Sequence, residues 1–588
     1  MKRSEQRKED TWDLESVYRC PEDWQADCKA LEADLAALAS HQGKIVDGDS
    51  LYSALCDLQA AELRLEKIYT YASLGYECDG LDSEAQRREG VAVSLCSRLA
   101  QSASYLEPEI MALDEAQLRS WIQEERFSGF RVYIIRLVRQ RAHTLTAAEE
   151  RIMALEGETA DCCQEVFDEL TDVDFDFGQV GDVKLTHASF SSLMRSPDET
   201  VRREAYLKLY GQYEKHSHTL ARLYSGSVRQ DIFQARARHY ASSLEAALFP
   251  DDVDQSVYHT LIESVESSLD SLHRYYELKR RRLGLDCLHH YDVYVPMTRA
   301  PEVDYPYDKA VGMIASALGV LGKDYVDTLV RGLTEDRWVD RYENEGKRSG
   351  AFSAGSYTSK PFILTNYRSD SLSSVFTLAH EGGHSMHSLY SARNNPFMAS
   401  NYSIFEAEVA STFNEELLSR HLIAKADTKA LKAHLIATRL DDIVATLFRQ
   451  TMFAHYELTV HEEVEKGGVA TLDYQRKTYR SLLEAYFGPD VELIEVSDLE
   501  ALRIPHFYNA FYVYKYATGL SAALALADRV MDGGVKERDD YLAFLASGGS
   551  RWPIESLRLA GVDMADSGPV KAAIAHFTRL MDEYEALD

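Results

Sequence analysis

The residues best suited to chemistry form one pentapeptide, His380-Glu381-Gly382-Gly383-His384. In a helix, residues four positions apart lie on one face, so His380 and His384 can offer two imidazole nitrogens to a single metal ion. Glu381 would project beside that ion, where a carboxylate can take a proton from water. The spacing therefore predicts a zinc centre built for hydrolysis of the kind found in peptidases.

The neighbouring residues favour this interpretation over an exposed helix that happens to carry two histidines. The preceding run, Val375-Phe376-Thr377-Leu378-Ala379, is largely apolar, so the motif enters a buried helix. Two adjacent glycines inside a helix cost on the order of 1 kcal/mol each relative to alanine. We therefore expect a packing reason for Gly382 and Gly383, such as another backbone passing close to the metal helix.

The third metal ligand must lie outside the pentapeptide, because a catalytic zinc ion needs three protein ligands and an open position. The segment Ser403 to Glu416 has helical character and carries carboxylates flanked by apolar residues. Glu408 is predicted as the ligand, and Glu406 points about 200° away on the same helix. Glu415, on nearly the face of Glu408, could hydrogen-bond the far nitrogen of a ligand histidine. The alternative is that these glutamates only solvate a helix.

Other histidines are interpreted differently. His387 shares the face of His384 and could be an alternative ligand, but it lies a further turn along, so we expect it to pack or to support the site. His461-Glu462-Glu463 lacks a second histidine and is interpreted as a solvated helix face. His289-His290 is interpreted as structural.

A second group of polar aromatic side chains lies between Ile504 and Tyr516. In this segment His506 is followed by four tyrosines: Tyr508, Tyr512, Tyr514 and Tyr516. Phenol and imidazole donors can stabilise the oxyanion that forms when water attacks a peptide carbonyl. One helix cannot aim all four tyrosines at one point, so some of them are expected to be packing residues with a polar tip.

The elements that must position these residues are mostly helices. Apolar residues recur at a spacing of three to four with few breakers, and 13 prolines in 588 residues fit a mainly α-helical chain. The pattern predicts helices over 31–41, 50–74, 83–107, 147–170, 205–235 and 253–283.

Two segments predict strands instead of helices. In residues 173–189, polar and apolar residues alternate on both sides of Gly178 to Asp182, which predicts a hairpin. Residues 361–367 are a short strand candidate just before the motif helix. A strand beside a zinc site can lend its free edge to an extended peptide, which it holds by main-chain hydrogen bonds.

Length and charge limit the classes of protein. A chain of 588 residues suits two or more helical subdomains around a cleft. A soft boundary around Ser196-Pro197 divides an N-terminal helical domain, 1–200, from a catalytic domain, 201–588. The net charge of −31 argues against a nucleic-acid partner, since phosphate binding needs a basic surface.

The compartment is predicted from what the sequence lacks. No apolar stretch is long enough to cross a bilayer, and residues 1–10 have no hydrophobic core of a secretion signal. The eight cysteines all lie in the first half and show no C-x-x-C spacing. They are expected to be reduced thiols, and the protein is expected to be cytoplasmic.

Taken together, these segments resemble oligoendopeptidase F, a bacterial branch of the thimet-oligopeptidase type of zinc metallopeptidase. The resemblance rests on the pentapeptide, on Phe405 to Glu415, and on His506 to Tyr508 with Tyr512 to Gly519. Shorter matches extend it over nearly the whole chain: Thr11 to Leu14, Gly355 to Tyr357, Ser547 to Ser550 and Gly561 to Asp563. One departure is Gly382, where many relatives carry a bulkier residue.

The resemblance implies roles for individual residues. One zinc ion per chain would be bound by His380, His384 and Glu408, with Glu381 as the general base. His506 and a tyrosine after it would stabilise the transition state. The family's Y-x-Y pattern fits Tyr512 and Tyr514, of which Tyr514 is preferred, whereas spacing from the histidine favours Tyr516.

The resemblance also implies a fold. It is mainly α, with long helices in two halves that enclose a deep channel, and with a small β-sheet beside the metal site. Such a channel would admit only short, unstructured peptides. We therefore expect a zinc endopeptidase that hydrolyses internal bonds of oligopeptides and has no nucleic-acid or membrane partner.

Two other functions remain open at this point. One is an exopeptidase on the same scaffold, either a carboxypeptidase or a dipeptidase. The other is a non-catalytic protein that binds peptides or stores metal. The complete motif argues against the second, because a store does not need the glutamate base.

Overall fold

The computed structural model describes residues 1–300 and 303–587. Most of these residues are helical, which confirms the predicted fold class. In chain order the α-helices are α1 Pro21–Ala39, α2 Gly48–Cys78, α3 Ser83–Ala103, α4 Leu106–Ala112, α5 Glu115–Trp121, α6 Arg131–Gln140, α7 Ala147–Ala160, α8 Cys162–Asp168, α9 His187–Leu193, α10 Glu199–Lys215, α11 Ser217–Ala237, α12 Ser243–Leu248, α13 Gln255–Glu266, α14 Leu269–Leu283, α15 Tyr307–Ala317, α16 Lys323–Leu333, α17 Leu372–Asn394, α18 Ile404–Lys425, α19 Lys429–Ile443, α20 Arg449–Glu465, α21 Leu472–Phe487, α22 Tyr514–Asp532, α23 Val535–Ser547, α24 Pro553–Leu559 and α25 Gly568–Glu585.

The predicted helices are present, although three of them are interrupted. The predictions over 50–74 and 83–107 correspond to α2 and α3, which begin with side-chain caps from Asp47 and Asp82. The predictions over 147–170, 205–235 and 253–283 each cover two helices separated by a short break. Apolar periodicity continues across these breaks, so the sequence pattern does not reveal where one helix ends and the next begins. None of the helices in the described part is long and apolar enough to cross a membrane.

The strands are short and form three small sheets. They are β1 Gln179–Val180, β2 Val183–Lys184, β3 Leu288–His289, β4 Val339–Asp340, β5 Phe352–Ala354, β6 Phe362–Leu364 and β7 Val491–Glu492. The predicted hairpin is β1–β2, and its turn contains Gly181 with a φ of 56°. The parallel pair β3–β7 forms a second sheet, and the third has the order β4-β6-β5.

The strand candidate at 361–367 forms β6, but its predicted role as a free edge is wrong. Ile363 pairs with Val339 of β4 in parallel and with Ser353 of β5 in antiparallel orientation, so β6 is the central strand. The edge near the motif helix belongs to β5, whose outer side pairs with no other strand among the described residues. A single strand in a sequence does not reveal how many partners it has.

Packing divides the chain into two compact, interleaved units. Unit 1 consists of Met1–Ala142, Glu302–His421 and Leu526–Val562, and unit 2 consists of His143–Pro301, Leu422–Ala525 and Asp563–Asp588. The predicted domain boundary at residue 200 coincides with none of these limits. It stays a prediction, because compact packing units and independently folding domains need not share their limits.

In unit 1 the first residues of the chain pack against the β4-β6-β5 sheet. Trp12 is buried, with ring centroids 6.3 Å from Phe352 and 6.0 Å from Phe362. Asp13 accepts a hydrogen bond from Lys360 Nζ at 2.8 Å. The N-terminal segment therefore packs against side chains of both strands of the β5–β6 pair.

In unit 2 a buried ion pair lies within an aromatic core. Glu500 accepts hydrogen bonds from Arg449 Nη2 at 2.6 Å and from the Tyr479 hydroxyl at 2.8 Å. Burial opposes ionisation of Glu500, but Arg449 and its cationic neighbours outweigh this effect and lower the pKa of Glu500 to about 2. His290 is buried against the Tyr206 hydroxyl, and burial lowers its pKa to about 4. The structural interpretation of His290 is confirmed.

Candidate metal centre

The pentapeptide lies within α17, on a stretch that is buried on most sides. Leu378, Ala379 and Glu381 are buried, whereas His380 and His384 are partly exposed. The two imidazole rings are nearly perpendicular, at 83°, with centroids 4.7 Å apart, and their Nε2 atoms are 3.1 Å apart. The spacing of four residues therefore places both nitrogens at one point, as the sequence predicts.

The third predicted ligand comes from α18. Glu408 Oε2 lies 3.8 Å from His380 Nε2, and one ligand atom from each of His380, His384 and Glu408 lies within 4.8 Å of the others. Glu406 faces the other side of α18, where it is buried and accepts a hydrogen bond from the Ser403 N–H at 3.2 Å. The structure thus brings the three predicted ligands together and turns Glu406 away from them.

The two glycines of the motif have different surroundings. A Cβ atom on Gly383 would lie 2.7 Å from the backbone oxygen of Ala410 and 2.7 Å from Ser411 Cα, both in α18. A Cβ atom on Gly382 would lie 3.2 Å from Leu329 Cδ1, the end of a flexible side chain. The expected close approach of another backbone is therefore present at Gly383 alone. The departure at Gly382 leaves the packing of α17 on α18 intact.

The ligand side chains are oriented by a surrounding set of hydrogen bonds. Glu415 makes a short hydrogen bond with His380 Nδ1, so Nε2 of this ring is the nitrogen directed towards His384. Asn414 donates to the Ala379 carbonyl at 3.2 Å and so ties α18 to the helix that carries the motif.

The same contacts set the protonation of the two histidines. Burial disfavours the cation at His380, but Glu415 and the other nearby carboxylates outweigh it and raise the pKa to about 8. Burial and the neighbouring His380 lower the pKa of His384 to about 3. Without a metal the pair therefore shares a single proton near neutral pH, and that proton must leave when a cation binds.

Glu381 is buried next to the ligands and is held by the edge strand. Burial raises its pKa to about 7, with Glu408 and Glu415 adding to the shift and His380 opposing it. The backbone of Ser353 in β5 favours the ionised carboxylate and so opposes the rise in the pKa of Glu381. The Ser353 and Ser385 hydroxyls are 2.8 Å apart and join β5 to α17. Sequence reasoning missed Ser353, because only the fold brings β5 beside the motif.

Two further histidines have structural surroundings. His387 is buried and stacks on Tyr402 with centroids 3.7 Å apart, so it packs behind the site as expected. The interpretation of His461 as part of a solvated face is wrong. His461 is 1% exposed, and its Nε2 lies 3.1 Å from Asp231 Oδ2. Its flanking glutamates suggested a polar face, but the histidine faces inward.

The predicted oxyanion group lies in unit 2. His506 belongs to a short 3₁₀ helix, Pro505–Tyr508, and is exposed. Its Nε2 lies 3.5 Å from the Tyr516 hydroxyl, and Tyr516 contacts Tyr512 edge-on at 5.5 Å. These three side chains therefore form one partly exposed cluster at the start of α22.

The preference for Tyr514 over Tyr516 is not supported by this arrangement. Tyr514 is 0% exposed and packs against Tyr258 with centroids 5.2 Å apart. Tyr514 lies on the face of α22 that packs into the core. Tyr512 and Tyr516, each two positions away along the chain, lie on a different face. A short Y-x-Y pattern does not indicate which of its tyrosines faces inward.

The loop that presents this cluster contains a strained residue. Phe511 has a φ of 57°, and its N–H donates to the buried carboxylate of Glu457 at 3.2 Å. Burial raises the pKa of Glu457 well above its ordinary value, and its hydrogen bond with Phe511 opposes the shift. A left-handed conformation at a bulky residue costs on the order of 1–3 kcal/mol, so the surrounding contacts must hold it.

The donor atoms of α17 and α18 fit a zinc ion. Two imidazoles and one carboxylate are the ligand set of many catalytic zinc sites, and such sites leave a position open for water. The hydrogen bond that the far nitrogen of His380 donates to Glu415 is the usual support for such a ligand. A mainly helical fold with this site on a His-Glu-x-x-His helix defines the class of metallopeptidases.

Comparisons with known proteins give a more specific family. The model of peptidase family M3 matches residues 192–576, and the model described as oligopeptidase F matches residues 109–177. The oligoendopeptidase F homologue of Borreliella burgdorferi is 36% identical over 586 residues, covering 100% of this chain and 99% of its own. Oligopeptidase PepF of Bacillus subtilis is 36% identical, covering 100% of this chain and 88% of its own.

A solved structure from Chlamydophila abortus agrees with these similarities. It has a TM-score of 0.94 and 35% identity, and the match covers 100% of both chains. The chain therefore belongs to peptidase family M3, in the oligoendopeptidase F group of metallopeptidases. The resemblance found in the sequence is confirmed.

Proposed function

We propose that this protein is a zinc-dependent endopeptidase that hydrolyses internal bonds of short oligopeptides. The observation that carries the proposal is the convergence of His380, His384 and Glu408 within 4.8 Å, beside the buried carboxylate of Glu381. The names of the relatives, oligoendopeptidase F and oligopeptidase, support cleavage of oligopeptides.

His380, His384 and Glu408 would hold the zinc ion. When bound there, zinc supplies a Lewis acid that polarises a carbonyl and makes water more acidic. Glu415 keeps His380 in the tautomer whose Nε2 can act as a ligand.

Glu381 serves as the general base in this proposal. It takes a proton from the attacking water and passes it to the leaving amine. The Ser353 backbone favours its ionised carboxylate, and burial limits the water that could compete for it.

Substrate would bind as an extended chain. The open side of β5 offers main-chain donors and acceptors beside Glu381, and an extended peptide can pair with such an edge. Pairing by main-chain groups is independent of side-chain identity, which suits an enzyme that acts on many short peptides.

His506 and Tyr516 would donate hydrogen bonds to the oxyanion that develops on the attacked carbonyl. Their partial exposure and mutual contact support this role, and Tyr512 would hold the Tyr516 ring. Removal of one such donor typically lowers kcat by roughly 100- to 1000-fold. We expect Tyr516→Phe to show such a loss and Tyr512→Phe a smaller one, measured as kcat on one peptide.

The decisive experiment uses an internally quenched peptide that is blocked at both ends. We expect cleavage that stops with a chelator, returns with zinc, and is absent from Glu381→Gln that still binds zinc. Cleavage only of peptides with a free terminus would make the protein an exopeptidase. A zinc-loaded protein that cleaves neither kind of peptide would contradict the enzyme proposal.

A further inference from the structure

Cys287, His289 and Glu492 form a second cluster of potential metal ligands, in unit 2. One ligand atom from each lies within 4.8 Å of the others. Cys287 Sγ is 3.4 Å from Glu492 Oε2, and His289 Nε2 is 3.8 Å from the same oxygen. In a tetrahedral zinc site, the bond lengths to sulfur, nitrogen and oxygen place neighbouring ligand atoms about 3.4–3.6 Å apart. Small side-chain adjustments would let these three atoms share one ion.

The strand pair β3–β7 places the three side chains on one face. Leu288 pairs with Val491 and His289 pairs with Glu492, and both Leu288 and Val491 are buried. Because side chains alternate along a strand, His289 and Glu492 project together to the opposite, solvent-facing side. Cys287, which immediately precedes β3, reaches the same carboxylate with its Sγ atom. Backbone register therefore sets the His289–Glu492 pair, and the position of Cys287 next to β3 adds the thiol.

A buried carboxylate orients the histidine. Asp292 is 0% exposed, and its Oδ1 is held by Arg202 through Nε at 2.9 Å and Nη2 at 2.6 Å. Its Oδ2 accepts the His289 backbone N–H at 2.9 Å and lies 3.2 Å from His289 Nδ1. Nδ1 therefore carries the proton, and the lone pair of Nε2 is left directed towards Glu492. This carboxylate–histidine arrangement is the usual support for a metal-binding imidazole.

We propose that Cys287, His289 and Glu492 bind a second zinc ion, with water completing the coordination. A thiolate, an imidazole and a carboxylate suit zinc, whereas calcium and magnesium prefer sets of oxygen atoms. The thiolate and the carboxylate would balance the charge of the ion. This proposal is independent of the hydrolytic chemistry proposed above, and neither proposal depends on the other.

The ion would act as a structural cross-link. Cys287 and Glu492 are 205 positions apart in the chain, and the short β3–β7 pair joins their segments at this point. A link that binds the folded but not the unfolded chain raises stability by mass action. Burial and Glu492 raise the pKa of the Cys287 thiol, so zinc uptake here also releases a proton.

Cobalt distinguishes this site from the one on α17, because only this one contains a thiolate. The metal-free protein is titrated with Co²⁺ and the near-ultraviolet thiolate-to-cobalt charge-transfer band is recorded. We expect the band in the wild type and in His380→Ala, and its loss in Cys287→Ser. Cys162→Ser, which removes an exposed thiol of the same unit, is the matched control and keeps the band.

Zinc stoichiometry gives a second, independent readout. After equilibrium dialysis we expect two zinc ions per wild-type chain and one in each of Cys287→Ser, Glu492→Gln and His380→Ala. Added zinc should raise the Tm of His380→Ala but not that of a variant that also carries Glu492→Gln. A wild type with one ion and no charge-transfer band, or an undiminished band in Cys287→Ser, would overturn the proposal. So would two ions in Cys287→Ser.

Discussion

Glu408 and Glu406 are two positions apart, yet their carboxylates lie on different sides of α18. Glu408 approaches His380, while Glu406 is buried against the Ser403 backbone, and burial raises the pKa of Glu406 to about 7. We expect Glu408→Gln to weaken zinc binding strongly, because the third ligand, which is the anionic one, is lost. Glu406→Gln should leave zinc affinity unchanged. Competition with a chromophoric chelator measures both, and equal affinities would reassign the third ligand.

Glu415 contacts His380 and is not one of the three proposed ligands. Replacing such a supporting carboxylate typically lowers metal affinity by about 10- to 100-fold. We expect this loss for Glu415→Gln, with most of kcat restored at saturating zinc because the base, Glu381, is still present, although its pKa loses the upward contribution of Glu415. A variant whose kcat stays low at saturating zinc would show that Glu415 has a role beyond orienting His380.

At this scale the sequence predicts the convergence of the candidate ligands better than it predicts which tyrosine lies beside His506. His380 and His384 follow from helical spacing, which the fold keeps, whereas Glu408 was chosen among the carboxylates of the next helix. The roles of the tyrosines after His506 cannot be predicted in this way. Tyr514 lies on the face of α22 that enters the core and Tyr516 does not, and the sequence does not indicate which face that is. Cys287 and Glu492 could not be joined at all, since their contact depends on a strand pair between distant segments.

The packing of α17 against α18 gives a test at the scale of elements. Gly383→Ala would force a Cβ atom to within 2.7 Å of two backbone atoms of α18, and neither can move without the helix. We expect a net loss of about 1–3 kcal/mol in the free energy of unfolding, together with weaker zinc binding. Denaturant titration of the metal-free protein and zinc competition measure the two effects.

Gly382→Ala is the control on the same helix. Its Cβ atom meets only the end of Leu329, which can adjust, while alanine improves the helix by up to about 1 kcal/mol. We expect stability equal to or above that of the wild type and unchanged zinc affinity. Equal losses in both variants would mean that the helix interior, and not the contact with α18, requires glycine.

The elements were largely predictable, but their partners were not. Apolar periodicity predicts the helices because each helix buries one face, and an apolar run predicts β6 because this strand is buried. Neither pattern predicts the order β4-β6-β5, so the open edge was expected on β6 instead of β5. The contact that matters for Glu381 is made by Ser353, in a strand with no strong signal of its own.

Acid should destabilise the whole molecule partly through His290. Its pKa in the folded state, about 4, lies below the ordinary value of 6.5, so the unfolded chain binds the proton more readily. Stability from the neutral form is therefore present above pH 6.5 and is lost as pH falls towards 4, with a slope of up to about 1.4 kcal/mol per pH unit.

His290→Asn removes this titration while keeping a polar group for Tyr206. We expect lower stability at neutral pH but a flatter dependence between pH 6.5 and 4, measured by denaturant unfolding of the metal-free protein. His259→Asn, at an exposed position, should keep the wild-type slope. If the free energy of unfolding changed with pH at the same slope in the wild type, His290→Asn and His259→Asn, His290 would not contribute to acid destabilisation.

The interleaved path of the chain also has a consequence for its synthesis. The buried face of α17 is covered by the last segment of unit 1: Asn395, just after α17, donates to the Ala546 carbonyl, His387 contacts Phe544, and Ser391 lies against Gly548. Asn395 and Ala546 are 151 positions apart. At roughly 5–20 residues per second, a ribosome needs on the order of 8 to 30 s to make that stretch. The helix with the hydrolytic motif therefore stays incompletely packed until residues 544–548 have been synthesised, and we expect a product that ends before them to bind zinc more weakly.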